Sequence, residues 1–233
     1  MQLRATSVTS GLQAIIFDHD GTILDTESAE YESVRRVWHD YGLSFLPERW
    51  AHVIGTVSGD PWIDELAREL GRSIDRDEIY RRARRYNAEA LESVDARPGI
   101  RELVATAAAA GIPMAIASNA PVSWIERRVG PLGFYDAFDY VIGVDTASAP
   151  KPDPAPFAEA CIALGVDPRF TVAIEDSTTG VASAVAAGCF TLACPGPLTL
   201  GHDLSAAHVI VDSHTEVTLG WLSAQLAAWH TAG

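Results

Sequence analysis

Short runs of consecutive apolar residues recur along the chain, bounded by turn residues and separated by stretches with helical spacing. Ala14–Phe17, 112–117, 140–143, 170–174, 190–193 and 209–211 carry such runs. Unbroken apolar runs of this length predict strands buried on both faces, as in a parallel sheet. Between them the spacing predicts helices over 100–110, 121–129, 154–164, 179–187 and 216–229, with Gly111, Gly165 and Gly188 as stops after three of them. Strand and helix in alternation imply a doubly wound, Rossmann-like α/β fold with a parallel sheet.

One block breaks the rhythm. From Glu27 to Ser93 no strand pattern occurs. Tyr31, Val34, Val37, Trp38 and Tyr41 recur at threes and fours before Gly42, and further helix is expected over 48–54, 61–70 and 75–93. A crossover between parallel strands needs only about a dozen residues. The block therefore reads as an inserted all-helical cap domain, 27–94, in an α/β core made of 12–26 and 95–230. Arg97-Pro98-Gly99 is the punctuation that returns the chain to the core.

Composition narrows the partners. Seventeen Lys and Arg against 31 Asp and Glu leave a net charge of −14. That argues against nucleic acid or an anionic membrane surface, both of which need a basic face. The three cysteines, Cys161, Cys189 and Cys194, lack zinc-type spacing and suggest reduced, buried thiols in the cytoplasm. Residues 1–11 lack the apolar core of a signal peptide, and no stretch reaches membrane-spanning length. A monomer is the expected state.

Candidate chemistry falls at strand ends. The first apolar run stops at Asp18-His19-Asp20-Gly21-Thr22. Two carboxylates this close repel each other unless a cation holds them, and a hard divalent metal suits oxygen ligands. Ser118-Asn119 follows the second strand, Lys151-Pro152 lies beyond the third, and Glu175-Asp176-Ser177 with Gly180 follows the fourth. In an open α/β sheet these ends share one rim. Asp18 with Asp176 and Glu175 can clamp Mg²⁺. Lys151 offers a point charge to a phosphate, and Ser118 and Asn119 offer hydrogen-bond donors. A carboxylate can act as nucleophile and a second as acid and base.

These four motifs, in order and spanning 12–211, resemble the haloacid dehalogenase superfamily. The helical insert resembles the cap of its subgroup that contains β-phosphoglucomutase and sugar-phosphate phosphatases. The resemblance implies that Asp18 is the nucleophile and Asp20 the general acid/base. It implies Mg²⁺ held by the Asp18 carboxylate, the Asp20 backbone carbonyl and Asp176, with Glu175 bound directly or through water. Thr22 joins Ser118, Asn119 and Lys151 as phosphate-binding residues. His52 and Thr56 are the cap's candidates for substrate specificity. The implied activity is a Mg²⁺-dependent phosphatase acting on a small phosphorylated metabolite, a sugar phosphate above all, through an aspartyl phosphate.

Two alternatives accompany this reading. A phosphosugar mutase would use the same Asp20. However, the mutases carry a His where this chain has Glu30, and the Arg they place after a cap glycine is missing from Gly55-Thr56-Val57-Ser58-Gly59. A non-catalytic binding protein on the same fold would not require both acids. Single residues also have plainer readings. The aspartate pair could be a turn or helix cap, Asn119 could cap the helix near Pro121, and Ser177 could be structural. His19 is an unusual filler, expected to point away from the nucleophile, as neighbours in extended chain do. The run Arg81-Arg82-Ala83-Arg84-Arg85 spreads around a helix and reads as a solvated face. Trp62 and Cys189 are expected in the core.

Overall fold

The computed structural model describes residues 11–50 and 61–232. Six parallel strands form one sheet: β1 (Ala14–Phe17), β2 (Met114–Ala117), β3 (Tyr140–Ile142), β4 (Thr171–Glu175), β5 (Phe190–Ala193) and β6 (Val209–Ile210). Their spatial order is β3-β2-β1-β4-β5-β6. The chain lays β1 to β3 in one direction and then crosses to the other side of β1 to lay β4 to β6. The reversal point therefore lies between β1 and β4, where a crevice opens beyond the carboxyl ends. Phe17 pairs with Ile174 across that junction, which sets Asp18 opposite Glu175.

Alternation of side chains sorts the strand residues onto two faces. Ile15, Phe17, Met114, Ile116, Val172, Ile174 and Leu192 pack in one cluster. Ile16, Ala115, Ala117 and Ala173 pack in another with Phe157, Cys161 and Cys189. Both faces of the four inner strands are buried, which is why these read as near-continuous apolar runs, while the edge strands β3 and β6 are partly exposed. The covering helices are α5 (Ile100–Ala109), α6 (Val122–Val129), α7 (Ala155–Leu164), α8 (Thr178–Ala186) and α9 (Leu219–Ala232). Most boundaries shift from the expected ones by one to three residues, and two of the shifts have evident local reasons. β2 starts at Met114 because Pro113 has no N–H for the ladder. α9 starts late because Ser213 caps a separate 3₁₀ turn over His214–Glu216.

The insert is helical throughout its described part: α1 (Thr26–Asp40), α2 (Pro47–Trp50), α3 (Pro61–Leu70) and α4 (Arg76–Leu91). It has its own apolar cluster of Val34, Val37, Trp38, Phe45, Trp50, Trp62, Leu66 and Ile79. Trp62 is thus a core residue, as expected. His52 and Thr56 lie outside the described residues. All three cysteines are free and buried. Among the described residues no helix is long and apolar enough to cross a membrane.

Candidate active site

The site is built from the ends of β1 and β4. The Asp18 N–H donates to Ile174 O at 2.9 Å, which continues the ladder and aims Asp18 into the crevice beside Glu175 and Asp176. Lys151 arrives on the loop between β3 and α7, where the Lys151–Pro152 peptide is cis. Its Nζ donates to Asp18 Oδ1 at 2.6 Å and to Glu175 Oε1 at 2.5 Å. All four of these charged side chains are buried.

Asp18, Glu175 and Asp176 each offer a carboxylate oxygen within 4.8 Å of the others. One ammonium cannot neutralise three buried acids. Burial pushes the Asp18 carboxyl up to about 7; Lys151 opposes the rise, and Glu175 and Asp20 add to it. Asp176 is raised for the same reasons, burial first and then the charges of Asp18 and Glu175. The cluster lacks positive charge, and its oxygen donors suit a hard divalent cation.

Glu175 explains the spacing of its motif. While Oε1 holds Lys151, Oε2 accepts from Asp176 N (3.1 Å), Ser177 N (3.3 Å) and Ser177 Oγ (3.2 Å). Ser177 is the N-cap of α8 and accepts from Gly180 N. A Cβ at Gly180 would run into the Glu175 carboxylate. Ser177 therefore caps the helix, and Gly180 leaves the room into which the glutamate folds back. Both oxygens of Glu175 already have protein partners.

Asp20 sits in different surroundings. Thr26 Oγ1 donates to its Oδ1 at 2.6 Å, and Trp124 Nε1 approaches the same oxygen at 3.4 Å. His19, fully buried, places Nδ1 3.0 Å from Asp20 Oδ2. The unusual filler thus bears on the second acid. Burial would raise Asp20, but the charge of the neighbouring His19 and the donors Thr26 and Trp124 outweigh it and hold the carboxyl at about 2. Two aspartates separated by one residue are driven in opposite directions: burial among acids favours the proton on Asp18 and nearby donors favour the charge on Asp20, the reverse of what a nucleophile and a general acid need until a cation joins the cluster. Gly21 makes the turn between them and the cap. Its φ is +86°, and a Cβ there would strike the Asp176 carboxylate.

The predicted phosphate ligands divide into two groups. Ser118 is buried, and its Oγ accepts from Ala120 N at 3.0 Å, which leaves its own hydrogen to donate. Thr22 Oγ1 is buried and has no hydrogen-bond partner among the described residues, so it too can donate. Asn119 is engaged elsewhere. Its Oδ1 accepts from Lys151 N at 2.8 Å and its Nδ2 donates to Lys151 O at 3.2 Å. It anchors the backbone that carries the ammonium. The helix-cap alternative for Asn119 is not realised, since Asp145 Oδ1 accepts from Val122 N at the start of α6.

Sequence reasoning missed several contributors. Thr26 and Trp124 reach Asp20 from 6 and 104 positions away. Arg97 donates to the carbonyls of Gly21, Cys194 and Pro195 and so ties the loop after β1 to the loop after β5. Thr199 Oγ1 donates to Asp176 Oδ2 at 3.3 Å. Glu27, in the first turn of α1, accepts from Trp50 Nε1 at 3.3 Å. Burial, then the charges of Glu30, Asp20 and Asp18, lift it to about 8. Only Thr26 and Glu27 had a detectable signal, their place directly after the first motif.

Comparison with known proteins agrees with this geometry. The family model described as haloacid dehalogenase-like hydrolase matches residues 15–194. The protein YhcW of Bacillus subtilis is 33% identical over 81% of this chain and 86% of its own length. Validoxylamine A 7'-phosphate phosphatase of Streptomyces hygroscopicus is 30% identical over 87% of this chain and 94% of its own. The crystal structure of CbbY from Rhodobacter sphaeroides in complex with phosphate superposes with a TM-score of 0.71 at 26% identity, covering 88% of this chain and 96% of that one. The matched span contains all four strand-end motifs, and the chain belongs to the haloacid dehalogenase-like hydrolase family.

Proposed function

We propose that this protein hydrolyses the phosphate monoester of a small metabolite, with a sugar phosphate as the leading class. The observation that carries the reading is Lys151. Its ammonium is buried between Asp18 and Glu175, at a rim where Ser118 and Thr22 keep hydroxyl hydrogens to donate. A phosphoryl group needs such donors around its equatorial oxygens and a nucleophile in line.

Asp18 is the nucleophile and forms an aspartyl phosphate. Mg²⁺ held by Asp18, Asp176 and the Asp20 carbonyl, with Glu175 beside it, would supply the positive charge the cluster lacks. Lys151 and Ser118 bind and orient the phosphoryl group. Asp20 is ionised in the resting site, which suits it to take a proton from water in the second half-reaction. In the first half-reaction it must carry a proton to the leaving oxygen, and a phosphate dianion bound beside it raises its affinity for that proton. Residues 27–94 act as the cap that excludes water and selects the leaving group; their separate apolar cluster supports this division. Buried, unpaired cysteines accord with a cytoplasmic protein.

The test is release of phosphate from a generic ester in the presence of Mg²⁺. Activity that persists in Asp18→Asn, or that ignores chelation, would sink the mechanism. Dependence on a bisphosphate activator with little free phosphate released would favour the mutase.

A further inference from the structure

The arginine run of α4 does not behave uniformly. Arg81 pairs with Glu78, Arg82 with Asp40 and Glu78, and Arg85 lies near Glu89, which is the solvated face expected from sequence. Arg84 has no carboxylate partner among the described residues. It lies over Tyr80 and lines a cavity of about 410 Å³ between the cap helices α1, α3 and α4 and the core helix α6.

Across that cavity stand Arg127 and Arg128, also without ion pairs among the described residues, and Trp124. The Arg128 guanidinium stacks on Trp124, 4.6 Å from the ring centre. Its Nε and the Asn87 Oδ1 on the opposite wall are buried without hydrogen-bond partners among the described residues. Burial and then the charge of Arg127 pull Arg128 down from its ordinary range, with only Asp20 pulling it back. Among the described residues Glu30 is the single acid of the lining against three arginines, so this lining is net positive in a chain of net charge −14. Trp124 also donates to Asp20, so one wall of this cavity is in contact with the residue assigned to protonate the leaving oxygen.

We propose that this cavity seats the leaving group, and that the leaving group carries an anionic group of its own, a carboxylate or a second phosphate, recognised by Arg84, Arg127 and Arg128. The inference rests on the phosphatase reading and adds a substrate class to it. Unpaired guanidiniums suit carboxylate or phosphate oxygens. They are placed on the cap and on the core, so such a ligand would bridge the two and hold the cap closed over Asp20.

The experiment compares kcat/KM, with Mg²⁺, for glycerol phosphate, phosphoglycerate, a ketohexose monophosphate and its bisphosphate. Wild type should prefer at least one doubly anionic ester over its singly anionic counterpart by about tenfold or more. Arg84→Gln, an exposed position with little risk to folding, should reduce that preference about tenfold, while Arg84→Lys should retain most of it. Arg128→Gln should act in the same direction, and added salt should erode the preference. Preference for phosphoglycerate alone identifies a carboxylate, and preference for the bisphosphate alone a second phosphate. Equal rates within each pair, or a preference that Arg84→Gln and Arg128→Gln leave intact, would overturn the proposal while leaving the phosphatase reading standing. Failure of wild type to hydrolyse any of the four esters would overturn both.

Discussion

Replacing Asp18 by Asn should abolish activity and, without metal, make the protein more stable at alkaline pH. Burial, with the charges of Glu175 and Asp20 added and Lys151 opposing, pushes the Asp18 carboxyl from 3.8 up to about 7. Between those two values the folded state holds a proton that the unfolded state releases. Stability of the wild type must then fall as pH rises through this window, and the loss is complete above about 7. At about 1.4 kcal/mol for each pH unit, ionising Asp18 costs on the order of 4 kcal/mol. Asparagine stands in for the neutral carboxyl and avoids that cost, in which the attraction of Lys151 is already counted, so a gain of up to about 4 kcal/mol is expected. For a chain of this size that is a rise in Tm of about 5–15 °C. The assay is thermal unfolding in a chelating buffer at pH 4.5, 6 and 8. The difference between variant and wild type should be small at the lowest pH and largest at the highest. A variant less stable than wild type at pH 8, or a difference that does not change with pH, would refute the reasoning that these acids are short of a cation.

Other outcomes follow from the same geometry. Mg²⁺ should raise the Tm of wild type at pH 8, by about 2.7 kcal/mol of stability at a hundredfold excess over its dissociation constant, and should do much less for Asp176→Asn; equal shifts in both would remove Asp176 from the metal site. Gly21→Ala should cost about 1–2 kcal/mol from its φ of +86° alone, and activity should fall further because the new methyl displaces Asp176, as melting curves and phosphate release would show. Thr26→Val removes the 2.6 Å hydrogen bond to Asp20 and should lower kcat about tenfold or more; the pKa of Asp20 and the acidic limb of the pH–rate profile should both move upward, whereas Trp124→Phe, which removes the 3.4 Å contact, should do less. Asn119→Leu should lower kcat about tenfold with Asp18 intact, because the Lys151 backbone loses both its anchors; unchanged kinetics would assign Asn119 no role in holding Lys151.

Much of this protein was legible without coordinates. Parallel strands buried on both faces must be apolar at nearly every position, so the runs and the fold they imply stood out. Chemistry in such a sheet collects at the carboxyl ends, so Asp18, Lys151, Glu175 and Asp176 could be placed on one rim from order alone. The Asp-x-Asp-Gly-Thr and Glu-Asp-Ser-x-x-Gly spacings are local consequences of a turn and a helix cap, and local geometry survives in one-dimensional form. What sequence could not supply were relations between residues far apart in the chain. Trp124 against Asp20, Asn119 against the Lys151 backbone, Arg97 across three loop carbonyls, and Arg84 facing Arg127 and Arg128 all depend on how helices and loops pack. Nor could it say that Asn119 serves the lysine's backbone, or that one arginine in a charged run meets no acid among the described residues. Periodicity records which side of an element is buried. It does not record which neighbour is met there, and on that choice rest the opposite charge preferences of Asp18 and Asp20.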